Sequence, residues 1–128
     1  MTRYLLDTDV LIDFSKGIEP VTTRLQARIR GTDTVAICAI SVAEFFAGLT
    51  PGQAIKAETF IFSLEYWAIS LDAAKHAGQN RYMFARAGTT ITTTDTLLAA
   101  VAREYEATLV TSNLKYFPIE DLVLVSVR

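Results

Sequence analysis

The feature that most constrains the fold is a regular alternation of short apolar runs with amphipathic segments. Apolar runs occupy residues 4–6, 35–38, 66–69, 108–111 and 122–125. The segments between them carry apolar residues three or four positions apart, which is the spacing of one helix face. Strands that alternate with helices are typical of a parallel sheet covered on both faces. The sequence therefore predicts an α/β fold, a three-layer α/β/α arrangement with a mostly parallel central sheet.

Several helix ends are signalled by local residue patterns. Ser41 and Glu44 have the S-x-x-E spacing of a capping box, and Asp72 is placed to cap a long helix that ends near Gly88. Ile91 is predicted to lie in a brief extended piece, and residues 113–118 are predicted to form a loop. The predicted helices cover residues 10–14, 21–30, 41–49, 53–64, 72–88 and 92–105.

Length and composition bound the class of protein. With 128 residues, 51% of them hydrophobic, the chain is predicted to fold as one compact domain over residues 1–128. Twelve Lys and Arg oppose fourteen Asp and Glu, so the strongly basic footprint of many nucleic-acid-binding proteins is absent. The net charge of the chain therefore cannot hold a polyanion such as a nucleic acid, although a local site with bound cations still can.

The chain contains one cysteine, Cys38, and one histidine, His76. The single thiol excludes an intramolecular disulfide and a multi-cysteine zinc site, and the single imidazole excludes a nuclease that uses two histidines. The alanines around His76 favour a packed or surface position on a helix. Charged residues within the first ten positions argue against a signal peptide or a membrane span, so we expect a cytoplasmic protein with no membrane partner.

Polar residues stand where a parallel sheet places its functional crevice, just beyond the carboxyl ends of the strands. Each can serve as a helix cap or a turn residue. Acidic residues from widely separated segments, however, repel one another in a shared site unless a cation binds there, and carboxylates suit Mg²⁺ or Mn²⁺. This combination favours metal-assisted phosphodiester hydrolysis. The residues are Asp7, Asp9, Ser41, Glu44, Asp95, Ser112 and Asn113.

Four blocks, in this order, carry a family resemblance. They are YLLDTDVLID at 4–13, ISVAEFFAG at 40–48, TDTLLAAVA at 94–102 and ATLVTSNLKYF at 107–117. Together they resemble the PIN-domain ribonucleases, and in particular the VapC-like toxins of bacterial toxin–antitoxin pairs. The resemblance implies a PIN-like sheet domain that binds Mg²⁺ or Mn²⁺ and cuts RNA.

The resemblance also implies roles for individual residues. Asp7, Glu44 and Asp95 match the three most regular acidic positions of the family, as catalytic residues and metal ligands. Where the family often has a fourth acidic residue this chain has Asn113, and Tyr116 stands where Asp or His is frequent, so a fourth carboxylate ligand is not expected. The supporting residues, which would orient ligands or substrate, are Asp9, Thr8, Ser112 and Asn113.

The partners follow from the same resemblance. We expect an RNA substrate, a cognate VapB-like antitoxin in a groove near the site, and pairing of the toxin as a homodimer. The recurring aromatic residues, among them Phe45, Phe60, Phe62 and Tyr66, are interpreted mainly as core, with a groove or dimer interface as the alternative. The basic residues that could bind RNA phosphates, or simply lie on solvated surface, are Arg81, Arg86, Lys16 and Lys115.

Two other functions are open from the residues alone. Asp7-Thr8-Asp9 after the first strand also resembles the D-x-D motif of haloacid-dehalogenase-like phosphatases, with Asp7 as nucleophile, although Leu11 departs from that motif. The lack of a fourth acidic residue is compatible with a PIN-like module that binds RNA or protein without cutting it.

Overall fold

The computed structural model describes residues 1–119 and the backbone of residues 124–126, and in this part of the chain five strands form one sheet. All four strand pairings are parallel. The strand order is β3-β2-β1-β4-β5, which places β1 at the centre with Leu5 opposite both Ala36 and Leu109. The strands are β1 (Arg3–Leu6), β2 (Thr34–Cys38), β3 (Glu65–Trp67), β4 (Thr108–Thr111) and β5 (Leu124–Ser126).

Six α-helices lie in the same described part of the chain. Three of them begin at a hydroxyl cap, because the side chains of Thr50, Ser70 and Thr92 each accept a hydrogen bond from a backbone N–H of the first turn. The helices are α1 (Thr8–Ser15), α2 (Val21–Arg30), α3 (Ala39–Ala47), α4 (Pro51–Phe62), α5 (Leu71–Arg86) and α6 (Thr93–Glu104). A short 3-10 helix, Leu114–Tyr116, follows β4.

The two faces of the sheet are covered by different kinds of side chain, because successive strand residues point to opposite sides. One face, which we call the aromatic face, carries Leu6 and Ile37 and packs against helices α1 to α4, including Phe14 and Phe45. The other, the alanine face, packs mainly against α6. Its buried residues are Leu5, Ala36, Cys38, Trp67, Leu98, Ala99, Val101, Ala102, Ala107, Leu109 and Phe117. The predicted three-layer α/β/α fold is confirmed.

Helix α5 forms the outer part of the alanine face. It packs on α6 through small side chains, with Ala73 and Ala77 against Ala100. Its carboxyl end is followed by Gly88 at φ +82°, a left-handed conformation that suits glycine. Within the described residues, no helix is both long and apolar enough to cross a membrane.

Some predicted helix boundaries are wrong. The Ser41–Glu44 capping box does not form: α3 begins at Ala39, and the Ser41 hydroxyl instead donates to the Leu6 carbonyl. A capping box is present at Thr50 and Gln53, with Pro51 in the first turn of α4. Ser70, rather than the predicted Asp72, caps α5.

Other differences concern extended segments. The third strand covers Glu65–Trp67 rather than 66–69, and Ile91 lies in irregular backbone. In the predicted last strand, residues 122 and 123 lie outside the described residues, while residues 124–126 are extended. Two of the aromatics are not core residues, because Phe62 is 82% exposed and Tyr66 is 56% exposed.

Candidate active site

Three elements bring the three predicted catalytic carboxylates to the carboxyl edge of the sheet. Asp7 directly follows β1 and is the N-cap of α1, and Glu44 lies on α3, which directly follows β2. Asp95 reaches the edge differently from the prediction, since it does not follow a strand. It stands in the first turn of α6, and because α6 leads through a short turn into β4, its first turn lies where β4 ends.

The Asp7 carboxylate is held on both oxygens. Oδ1 accepts from the backbone N–H of Thr8 at 2.7 Å, and Oδ2 accepts from the hydroxyl of Thr111 at 2.8 Å. The backbone N–H of Asp7 donates to the carbonyl of Val110 at 2.9 Å. These contacts fasten Asp7 to both α1 and β4.

Glu44 is tied to the same group through Thr8. The Thr8 hydroxyl donates to Glu44 Oε1 at 3.1 Å, while its backbone N–H donates to Asp7. Thr8 is buried, whereas Glu44 itself is exposed. One buried threonine therefore bridges two carboxylates on different helices.

The electrostatics join Asp9 to this group. Burial raises the pKa of Asp7 above its ordinary value, hydrogen bonds from Thr111 and Thr8 oppose that rise, and the negative charges of Asp9 and Asp95 add to it. The pKa of Asp95 is also raised, first by burial, against a hydrogen bond with Thr92, and further by the charge of Asp9. Asp7, Asp9 and Asp95 therefore share one negatively charged region.

The fit of this region to a metal ion rests on donor chemistry. Carboxylate oxygens are the ligands that Mg²⁺ and Mn²⁺ prefer, and a cation would relieve the mutual repulsion of Asp7, Asp9 and Asp95. Among the residues that the structure describes, however, no three acidic, histidine or cysteine side chains form a group that could hold a metal ion as placed. The donor set suits a hydrated ion that keeps several of its waters.

The last residue of β4, Thr111, also contributes to this site, and it is not among the residues predicted for the site from the sequence. Ser112 and Asn113 are half-buried, and the backbone N–H of Asn113 donates to the Thr111 hydroxyl at 3.1 Å. Thr111 in turn donates to Asp7. No local pattern singles Thr111 out, because β4 both begins and ends with a threonine and the partner of the Thr111 hydroxyl, Asp7, is distant in the sequence.

The two predicted RNA-binding arginines lie on α5 and already make contacts. Arg81 Nε donates to the carbonyl of Ile91 at 3.0 Å, which ties α5 to the segment that precedes α6. The guanidinium of Arg86 lies 4.5 Å from the ring centre of Tyr82. His76, on the same helix, is half-buried with Nε2 3.1 Å from Arg103, in agreement with the predicted structural position.

The two predicted RNA-binding lysines are exposed and lie at different places. Lys16 ends α1 and lines a groove that also includes Glu44. Lys115 lies in the 3-10 helix with its ammonium 5.6 Å from the ring centre of Tyr116. Lys16 thus shares a surface with a predicted catalytic carboxylate, Glu44.

The fold, with carboxylates at the carboxyl edge of its sheet, can be compared with known protein families. The PIN domain family matches residues 4–118 of the chain. This chain belongs to the PIN-domain family. As a PIN domain it does not belong to the haloacid-dehalogenase-like phosphatases, whose D-x-D motif its first block resembles.

Relatives of this PIN domain cover nearly its whole length. Ribonuclease VapC19 of Mycobacterium tuberculosis is 26% identical over 117 residues, which are 90% of this chain and 92% of that protein. The crystal structure of VapBC2 from Rickettsia felis, bound to a DNA fragment from their promoter, contains a similar chain, with 27% identity, a TM-score of 0.85 and 98% coverage of both chains. DNA-bound VapBC from Salmonella typhimurium gives 27% identity, a TM-score of 0.85 and full coverage of both chains.

Proposed function

We propose that this PIN domain is a Mg²⁺- or Mn²⁺-dependent endoribonuclease and the toxin of a toxin–antitoxin pair. The observation that carries the proposal is the placement of Asp7, Glu44 and Asp95 by three separate elements at the carboxyl edge of a PIN-family sheet. The similarity to a ribonuclease over 90% of the chain supports RNA as the substrate.

Asp7, Glu44 and Asp95 would hold the metal, directly or through water. A divalent ion held there would supply Lewis-acid activation of the phosphodiester and of water. The protein's own part is positioning. Thr8 and Thr111 fix the Asp7 carboxylate, Thr8 also orients Glu44, and the turn at the start of α6 presents Asp95. Lys16, beside Glu44, is the side chain we assign to an RNA phosphate.

Cleavage of labelled RNA tests this function. With Mg²⁺ or Mn²⁺ we expect cleavage by the wild-type protein and its loss in EDTA. Asp7→Asn and Asp95→Asn should each lower the rate by about 100-fold or more. Asp72→Asn, which removes an exposed carboxylate at the start of α5, is the matched control and should cleave normally.

Two results would contradict the nuclease proposal. Full cleavage by the Asp7→Asn and Asp95→Asn proteins would mean that these carboxylates are not catalytic. Binding of RNA by the wild type without cleavage, with either metal and with several RNAs, would identify the chain as a non-catalytic binding module.

The antitoxin has a surface to occupy beside the site. A groove of about 470 Å³ lies between α1, α3 and α4, with Ile12, Phe45 and Phe60 among its apolar lining residues and Glu44 also lining it. An apolar groove between helices is a common docking place for an amphipathic segment. We propose that a VapB-like antitoxin binds there and covers Glu44, and the similarity to VapBC structures supports this assignment. The homodimer stays a prediction.

Co-purification with the product of the neighbouring reading frame tests the groove. Ala57→Arg places a long charged side chain among the groove residues, and we expect it to abolish co-purification while RNA cleavage persists. Thr59→Arg adds the same side chain at an exposed position of α4 outside the groove lining, and it should co-purify normally. Equal binding by both variants would place the antitoxin elsewhere.

A further inference from the structure

The last residue of β4, Thr111, occupies a fully buried position between two parts of the site. Its side chain is 0% exposed. The hydroxyl donates to Asp7 Oδ2 at 2.8 Å and accepts from the backbone N–H of Asn113 at 3.1 Å. It therefore connects the first and fourth sequence blocks, which are 104 residues apart at this bond.

The two contacts give this hydroxyl a fixed direction. A threonine hydroxyl has one proton to donate and can accept through its lone pairs. Because the Asn113 N–H approaches as a donor, the hydroxyl proton is free to point at Asp7. With Thr8 N–H on the other oxygen, the Asp7 carboxylate is held from both sides in one orientation.

We infer that Thr111 is the positioning residue through which β4 serves the metal site. In this chain the fourth block brings an amide rather than a carboxylate at position 113, and its contribution to Asp7 is delivered through the Thr111 hydroxyl instead. This inference rests on the proposed function. Residues that orient metal ligands commonly alter metal affinity or activity by about 10- to 100-fold when they are removed.

Isosteric replacement tests the inference. Thr111→Val keeps the shape and removes the hydroxyl, and we expect it to weaken Mn²⁺ binding, measured by calorimetry on the full chain without RNA, by about 10-fold or more. It should lower kcat while KM for RNA stays unchanged. Thr111→Ser, which keeps the hydroxyl, should return both quantities to within about twofold of wild type. Thr108→Val, at the other end of β4, is the matched control and should match wild type.

The failures of the two proposals are distinguishable. A wild-type protein that neither binds Mn²⁺ nor cleaves RNA would overturn the proposed function. A wild type that binds Mn²⁺, with a folded Thr111→Val protein of equal affinity, would overturn the inference alone, as would a Thr111→Ser protein as impaired as Thr111→Val. If Thr111→Val does not fold, Thr111→Cys keeps a side chain of similar size with a weak donor, and the same weakened Mn²⁺ binding is expected.

Discussion

The helices that cover the two faces of the sheet make their contacts through different side chains, and the candidate site lies at the sheet edge between them. The aromatic face is covered by α1 to α4 with phenylalanines such as Phe14 and Phe45. The alanine face also buries Trp67 and Phe117, but α6 contributes several alanines to it, and α5 packs on α6 through alanines. Asp7 and Glu44 belong to helices of the aromatic face, and Asp95 belongs to α6. The site therefore depends on the packing of both faces.

The aromatic face should be sensitive to shortened side chains, because its buried residues are mostly large. Leu11→Ala removes a fully buried side chain and is expected to lower the free energy of unfolding by about 2–5 kcal/mol. Ile55→Ala, at a position 71% exposed, should change it by less than about 0.5 kcal/mol. Urea unfolding measures both, and equal losses would mean that this face is not a close-packed core.

Metal binding should stabilise the junction of the two faces, because its proposed ligands come from both. Mn²⁺ at about 100 times its Kd is expected to raise the free energy of unfolding by about 2.7 kcal/mol. The measurement is thermal unfolding with Mn²⁺ and with EDTA. Asp7→Asn should lose most of this gain and Asp72→Asn should keep it. An equal gain in the Asp7→Asn protein would place the ion elsewhere.

The contact between α5 and α6 should be sensitive to enlarged side chains, because it is made by alanines. Ala77 is 2% exposed between α5 and α6, and Ala77→Leu is expected to cost about 1–3 kcal/mol because the helices must move apart. Ala85→Leu, at an exposed position of the same helix, is the control and should cost less than about 0.5 kcal/mol. Chemical denaturation of both variants decides this, and a neutral Ala77→Leu would show that the alanine contact is loose.

The smallest expected effect is a pH-dependent gain in stability when Asp7 is replaced by asparagine. Because the pKa of Asp7 is raised in the folded protein, the native state binds more protons than the unfolded state between the two pKa values, so stability falls as pH rises through that window. In EDTA, Asp7→Asn should be slightly more stable than wild type at pH 7, and the difference should vanish at acidic pH below the ordinary Asp pKa. Unfolding midpoints across pH measure this, and a less stable variant at pH 7 would reverse the sign.

Local sequence patterns predict those features that local contacts determine. Helix α2 covers residues 21–30 as its apolar stripe and the following Gly31 predict, and the three predicted carboxylates do reach one edge of the sheet. The roles of Ser41 and Thr111 could not be predicted in the same way. Their hydroxyls bond to Leu6 and Asp7 across the sheet, and spacing along the chain carries no information about such distant partners.

The central position of β1 has a consequence for the order in which a growing chain can complete its site. Asp7 is synthesised 104 residues before Thr111, so the Asp7 carboxylate must wait for β4 before this contact can form. Contacts between such distant residues form late because the intervening loop must first close. A nascent chain that stops before β4 carries Asp7, Glu44 and Asp95 without the strand that aligns them. The synthesis of β4 therefore controls when the site can first assemble.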